Sequence, residues 1–110
     1  MATLHAASGE LIDLRPTGKN EPDEGSRALV RDDHVEIFRL ALPAGKKVPE
    51  HQVPSFVTIQ CLEGAVEVRA HGRAQVMRAG TLIYLAGGQP HALKAIEDSV
   101  VLVTMLVARD

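Results

Sequence analysis

Short apolar runs, separated by glycine and other turn residues, fill residues 45–91 of the chain. Branched apolar residues dominate these runs. In one of them Val66 and Val68 alternate with Glu67 and Arg69, so apolar side chains recur at every second position. A period of two, with glycine at the ends of the runs, is typical of β-strands connected by tight turns. This stretch therefore predicts a compact sheet structure built from hairpins.

The same pattern extends to both sides of this stretch. Strands are predicted over residues 10–14, 34–42, 56–62, 66–70, 73–77, 81–85, 91–96 and 100–108. No segment shows a helical period, and no unit repeats at a fixed length. Roughly eight strands in a chain of 110 residues predict an all-β fold, either a small β-barrel or a two-sheet jelly roll.

The N-terminal part of the chain differs in composition from the rest. Residues 1–9 show no periodicity, and residues 15–26 are rich in glycine, proline and charged side chains. Breakers and charges at this density are typical of a surface loop. We therefore expect an N-terminal arm and loop at residues 1–26, followed by a single β-barrel domain at residues 27–110.

Charge and cysteine content exclude several classes of function. The formal net charge is -2, with acids and bases scattered along the chain, so the basic footprint of a nucleic-acid-binding protein is missing. The single cysteine, Cys61, lies in an apolar run, where a buried thiol behaves as a small hydrophobic side chain. The N-terminus resembles no signal peptide, and no apolar run is long enough to span a membrane. We expect a cytoplasmic protein without nucleic-acid or membrane partners.

Two ordered groups of glycine and histidine residues occur in the central stretch: Gly45, His51 and Gly64, then Gly80, Gly88 and His91. Their order and spacing resemble the two motifs of the cupin superfamily, and the resemblance covers roughly residues 34–108. It implies a cupin-type jelly-roll β-barrel of the RmlC-like kind, also called a double-stranded β-helix. The glycines match because tight turns between strands need a residue without a Cβ atom.

Other positions of the two motifs depart from the cupin pattern. Val53 stands where the first motif has its second histidine, Val57 stands where it has a glutamate, and Ala95 replaces the asparagine of the second motif. The resemblance therefore implies an apolar barrel pocket in which His51 and His91 are the main polar groups. We expect His51 at the start of the strand that leads to Val57 and His91 at the start of the strand that leads to Ala95. Both rings should then project into the barrel and approach one another.

The departures bear directly on metal binding. Metal-dependent cupins hold iron, manganese, nickel or zinc with three histidines and a glutamate, and by position only His51 and His91 remain. Open catalytic metal sites generally keep three protein ligands, so two imidazoles are expected to hold a divalent transition metal only weakly. His34 is a possible third ligand, if its strand starts near the mouth of the barrel.

Two further residues are expected to line the pocket. Tyr84 is the only tyrosine. Either it offers its hydroxyl group to a ligand, or its ring forms part of the barrel wall with one end exposed to solvent. Met105 faces the interior if the last strand keeps its alternation with Val101 and Val103. His71, by contrast, is predicted to be a solvated residue at the tip of a hairpin.

Three functions remain open on the sequence alone. The first is a stand-alone cupin that binds a small molecule in an apolar pocket anchored by the two histidines. The second is a metal-dependent enzyme of the dioxygenase or isomerase type found among similar cupins. The third is an effector-sensing or structural dimer, and since the sequence shows no helix-turn-helix, a sensor would need a separate partner chain.

The last predicted strand suggests how the protein assembles. Residues 100–107 are apolar on both faces except for Thr104. Only one face of a strand in a thin barrel can point to the interior, so the other apolar face must be covered by the second sheet or by a partner. We therefore expect a homodimer with two-fold symmetry.

Overall fold

Nine β-strands form the regular structure of residues 5–14 and 25–107, the parts of the chain that this computed structural model describes. In chain order they are β1 (Gly25–Arg31), β2 (Val35–Leu42), β3 (Lys47–His51), β4 (Val57–Glu63), β5 (Ala65–Ala70), β6 (Arg73–Arg78), β7 (Leu82–Leu85), β8 (His91–Ala95) and β9 (Ser99–Leu106). These residues contain no helix, and therefore none with the length and apolar character needed to cross a bilayer.

The strands form two antiparallel sheets that face each other. The five-stranded sheet has the order β1-β2-β9-β4-β7, and the four-stranded sheet has the order β3-β8-β5-β6. Strands distant in sequence, such as β2 and β9, are neighbours because the chain crosses repeatedly from one sheet to the other. This is the topology of a jelly roll, and it confirms the predicted all-β, single-domain fold.

The predicted strand at residues 10–14 is wrong. Glu10 instead closes a turn with Ala7: the Ala7 N–H group donates to the Glu10 carboxylate at 2.7 Å, and the Glu10 N–H group donates to the Ala7 carbonyl at 3.0 Å. The segment after this turn makes no ladder with a neighbouring strand. Two strands that the sequence pattern did not predict, β1 and β3, are present, and residues 15–24 of the expected N-terminal loop lie outside the described residues.

Side chains that alternate along the strands fill the space between the two sheets. Val57, Ile59 and Cys61 on β4 are 3 %, 2 % and 0 % exposed, and Leu93 and Ala95 on β8 face them from the other sheet. The predicted inward faces of these two strands are thus confirmed. Burial also raises the pKa of the Cys61 thiol, which fits its predicted role as a small core side chain.

Two valines on neighbouring strands offer a direct test of this packing. Val68 on β5 is 1 % exposed, whereas Val76 on β6 is 48 % exposed. Because Val68→Ala removes two methyl groups from a closed core, we expect it to lower the free energy of unfolding by about 2 kcal/mol. The matched variant Val76→Ala should change it by less than about 0.5 kcal/mol. Urea unfolding measures both, and equal losses would contradict the assignment of the inward face.

Candidate functional site

Two loops meet at one end of the barrel and bring the two motif histidines together. Residues 52–56 connect β3 to β4, and residues 86–90 connect β7 to β8. The Gly88 N–H group donates to the Val53 carbonyl at 2.7 Å, which ties one loop to the other. His51 is the last residue of β3 and His91 is the first residue of β8, so the tied loops hold the two strand ends side by side.

A bulge in β3 sets which residue faces His91. Val48 pairs with Leu93, but the next paired position is His51 with His91, so β3 contains one more residue than β8 over this interval. Regular pairing from Val48 would place Glu50 opposite His91. Among the described residues β3 is an edge strand, and Pro49 can occupy the bulge because its missing N–H group breaks no ladder there.

This geometry corrects one detail of the sequence prediction. His51 was expected at the start of the strand that leads to Val57, but it ends β3, and a loop separates it from β4. The sequence of β3 shows no clear alternation, because it contains Pro49 and polar residues before the histidine. The bulge itself left no signal in the pattern beyond that proline.

The two imidazole rings converge. Their centroids are 4.4 Å apart and the ring planes are tilted by 58°. The Nδ1–H group of His91 donates to the Gln89 carbonyl at 2.9 Å, and that of His51 donates to the Pro49 carbonyl at 3.1 Å. A carbonyl can only accept, so each contact requires the proton on Nδ1. Each ring therefore has Nε2 left to meet a ligand.

The two rings differ in exposure. His91 is only 3 % exposed, because its strand lies between β3 and β5, with His51 paired to it on one side and Ala70 on the other. His51, on the edge strand, is exposed. The pair thus stands at the mouth of a packed barrel, with one ring fixed in the wall and the other at the rim.

Three of the other predicted pocket residues lie at this same end. Val53 is partly buried against the core in the loop that follows His51. Val57 pairs with Met105 across β4 and β9, and Met105 packs against the core as its predicted inward orientation requires. These apolar side chains belong to the interior at this end of the barrel, and their contact with a ligand stays a prediction.

The structure places the remaining two predicted pocket residues elsewhere. Ala95 is 0 % exposed at the far end of β8, about 13 Å along the strand from His91, given roughly 3.3 Å per residue. Tyr84 is 60 % exposed on the outer face of β7, where its ring lies 5.7 Å from that of Phe56. The inward positions of β7 belong to Ile83 and Leu85, so the alternation turns the tyrosine hydroxyl away from the barrel.

His34 does not join the pair. It lies exposed in the turn between β1 and β2, where its N–H group and that of Val35 donate to the Asp32 carboxylate at 2.7 and 2.9 Å. These hydrogen bonds, that of His34 first, lower the pKa of Asp32. Within residues 5–14 and 25–107, no three histidine, cysteine, aspartate or glutamate side chains are grouped so that they could hold a metal ion. The donor set of this site therefore does not fit the metal centre of metal-dependent cupins.

The fold matches several solved structures described as RmlC-like cupins. A cupin superfamily protein from Desulfitobacterium hafniense matches with a TM-score of 0.78 at 19 % identity, over 89 % of this chain and 95 % of that one. A conserved protein of unknown function from Streptococcus pyogenes matches with a TM-score of 0.74 at 26 % identity, over 82 % and 80 % of the two chains. A protein from Thermotoga maritima, named a predicted oxalate decarboxylase, matches with a TM-score of 0.70 at 19 % identity, over 76 % and 79 %.

The sequence also matches a protein-family model. The model of the AraC-like ligand binding domain covers residues 35–106, well over half of the chain. The chain therefore belongs to this family, and its core is a cupin-type domain of the ligand-binding kind. None of the curated protein sequences compared with the chain matches it.

The contact between the two loops yields a prediction about the site. A Cβ atom on Gly87 would lie 2.5 Å from the Pro54 carbonyl oxygen, whereas one on Gly88 would meet nothing within 4 Å. Gly88→Ala should cost about 1–2 kcal/mol, because its φ of +78° strains any other residue. We expect Gly87→Ala to cost more and to shift the imidazole NMR signals of both His51 and His91, since a backbone oxygen must move. Equal losses and unchanged imidazole signals would show that the loops do not hold the pair.

Proposed function

We propose that the protein binds a small molecule at the mouth of the barrel, with His51 and His91 as its polar anchors. The observation that supports this most directly is the convergence of the two rings at 4.4 Å, each with Nδ1 held by a backbone carbonyl. Two oriented polar groups beside apolar walls are typical of small-molecule sites. The family match, to a ligand-binding domain, supports the same function.

The tautomer of the rings suggests which ligands fit. With the proton on Nδ1, the Nε2 atom of a neutral imidazole is a hydrogen-bond acceptor. Two such acceptors on adjacent rings suit a ligand with two neighbouring donors, such as hydroxyl or amino groups. The apolar side chains of Val53, Val57 and Met105 would then contact the carbon skeleton. A small, partly apolar polyol or amine meets both requirements.

A metal is not needed for this function, and the described residues do not supply a third ligand for one. A divalent transition metal held weakly by the histidine pair therefore stays an untested alternative, together with the metal-dependent enzyme it would serve. Elemental analysis of protein purified after metal-supplemented expression separates the two. A stoichiometric transition metal would favour the enzyme, and its loss on dialysis would mark weak binding.

Thermal shift against a metabolite library tests the binding function. We expect at least one polyol or amine to raise the melting temperature, since a ligand at 100 times its Kd stabilises by about 2.7 kcal/mol. His51→Ala and His91→Ala should abolish that shift. His34→Ala is the matched control, because His34 is an exposed histidine outside the pair, and it should leave the shift intact. A shift that survives in both pair variants would overturn the proposal.

Effector sensing is a second candidate, and the match to the AraC-like ligand binding domain is the observation that favours it. A sensor binds its effector at the same site but reports the binding to another protein. Such a protein would respond to the ligand through the loops at residues 52–56 and 86–90, which adjoin the two histidines in sequence and contact each other. A ligand-dependent change in oligomeric state would favour sensing over storage or transport of the ligand.

We also propose that two copies of the chain associate through the outer face of the five-stranded sheet. Four large apolar side chains are exposed there, Phe56, Leu82, Tyr84 and Leu106, by 38 %, 59 %, 60 % and 40 %. We call them the outer apolar patch. They are contiguous, because Tyr84 contacts Phe56 and the Leu106 N–H group donates to the Phe56 carbonyl. The rest of the outer face of β9 is partly buried, so the patch has moved from β9 towards β7 relative to the sequence prediction.

A second copy is the partner that this patch suits best. In the described part of the chain β7 is an edge strand, and an edge strand beside an apolar face can meet its own equivalent about a two-fold axis. Such a contact covers the same residues on both copies at once. A patch of this kind on a monomer would otherwise stay in water.

Light scattering at micromolar concentration tests this association. We expect the mass of a dimer for the unchanged protein and the mass of a monomer for the double variant Leu82→Lys with Tyr84→Lys, because four charges would then face one another in the contact. The control is Val76→Lys, at an exposed apolar residue of the other sheet, and it should remain dimeric. A monomeric mass for the unchanged protein would contradict the proposal.

A further inference from the structure

A groove of about 540 Å³ lies beside the histidine pair, outside the barrel. It runs along the hairpin of β5 and β6 and is closed on its other side by the loop before His91 and the end of β3. Its polar side chains are Glu50, Arg69, His71, Arg73 and Gln89. A volume of this size is within the usual range for small-molecule sites.

The charges in the groove are arranged in a way that fits a particular ligand. Arg69 and Arg73 come from the hairpin, and Glu50 comes from the end of β3 on the other side. The Arg69 Nε–H group donates to the Glu67 carboxylate at 3.2 Å, so that contact uses Nε and not the two terminal nitrogens. Arg73 forms no ion pair within the described residues. The groove thus presents two guanidinium groups opposite one carboxylate, in a chain whose net charge is negative.

The hairpin turn adds an independent observation. His71 and Gly72 both have positive φ, 55° and 72°, and they connect the paired residues Ala70 and Arg73. Two positive φ angles define a turn whose first position is usually Asn, Asp or Gly. His71 is the only non-glycine residue of the described chain with a positive φ. A histidine held in this conformation at the wall of a groove points to a use for its ring.

We propose that this groove binds a small carboxylate that also carries a hydrogen-bond donor, such as an amino acid or a hydroxy acid. The guanidinium groups of Arg69 and Arg73 receive the carboxylate, because their planar forks match its two oxygens. The Glu50 carboxylate, opposite them, accepts from the amino or hydroxyl group. His71 and Gln89 contribute hydrogen bonds from the two ends. Glu50 also disfavours a ligand that carries only negative charge, such as phosphate.

This second site has a lining separate from the histidine pair. The groove contains neither His51 nor His91, although it adjoins both through Glu50 and Pro90. Binding here and binding at the barrel mouth therefore fail or succeed separately. A ligand of one site need not compete with a ligand of the other.

NMR titration with L-serine, L-lactate, acetate and inorganic phosphate tests the proposal. At low salt we expect serine and lactate to give saturable shifts at residues 69–73, and acetate and phosphate to bind more weakly. Arg73→Gln and Arg69→Gln should each weaken serine binding by about tenfold or more, since a hydrogen bond between charged groups is lost. Glu50→Gln should weaken serine but not acetate.

Matched variants decide between outcomes. Arg78→Gln removes the same charge from the other end of β6, outside the groove, and should leave serine binding unchanged. Serine should shift the signals of residues 69–73 and leave the imidazole signals of His51 and His91 in place, which separates this site from the one at the barrel mouth. The proposal is overturned if serine and lactate give no saturable shift up to about 10 mM. It is equally overturned if Arg78→Gln weakens binding as much as Arg73→Gln, or if phosphate binds as tightly as serine.

Discussion

Two facing sheets can enclose a dry core only if their central strands each turn one apolar face to the same interior. The central strands of this protein do so, with Ile59, Val66 and Val101 all at 2 % exposure or less. A shift of one residue in any central strand would send a whole apolar set into water. The registers of β4, β8 and β9 are therefore fixed by packing, and the ends of these strands are fixed with them. The positions of the two histidines and of the loops at the barrel mouth depend on those strand ends.

At the mouth the chain departs from that regularity at one place. The extra residue in β3 exchanges Glu50 for His51 opposite His91. Since β3 is at the edge of its sheet in the described part of the chain, the irregularity disrupts no ladder on its outer side. The same shift leaves Glu50 to face the groove beside the hairpin of β5 and β6. One inserted residue thus assigns the imidazole ring of His51 to one site and the carboxylate of Glu50 to the other.

The sequence predicted the parts of the structure that repeat with a period of two. It correctly identified the inward faces of β4 and β8 and the burial of Cys61, because burial and alternation are local consequences of the same packing. It did not predict β3, because a proline and charged residues obscure the alternation there. It did not predict the outward position of Tyr84 either, because in a run that is apolar on both faces the pattern does not show which face is buried. The contact of Gly87 with Pro54 could not be predicted, because it joins two loops that are distant in sequence. The groove could not be predicted from the sequence, because its charged side chains come from three separate strands.

The difference in exposure between the two histidines has a mechanical meaning. His91 is in a strand with neighbours on both sides, whereas His51 ends a strand in which only Val48 is even partly covered. Detaching the end of β3 would uncover little apolar surface, and local opening of a protein follows the paths that uncover least. The His91 ring is therefore held rigidly, whereas the His51 ring can move with the end of β3. A molecule bound between the two rings would hold the end of β3 against β8. Ligand binding at the barrel mouth would then reduce the local opening of β3 as far as Lys47.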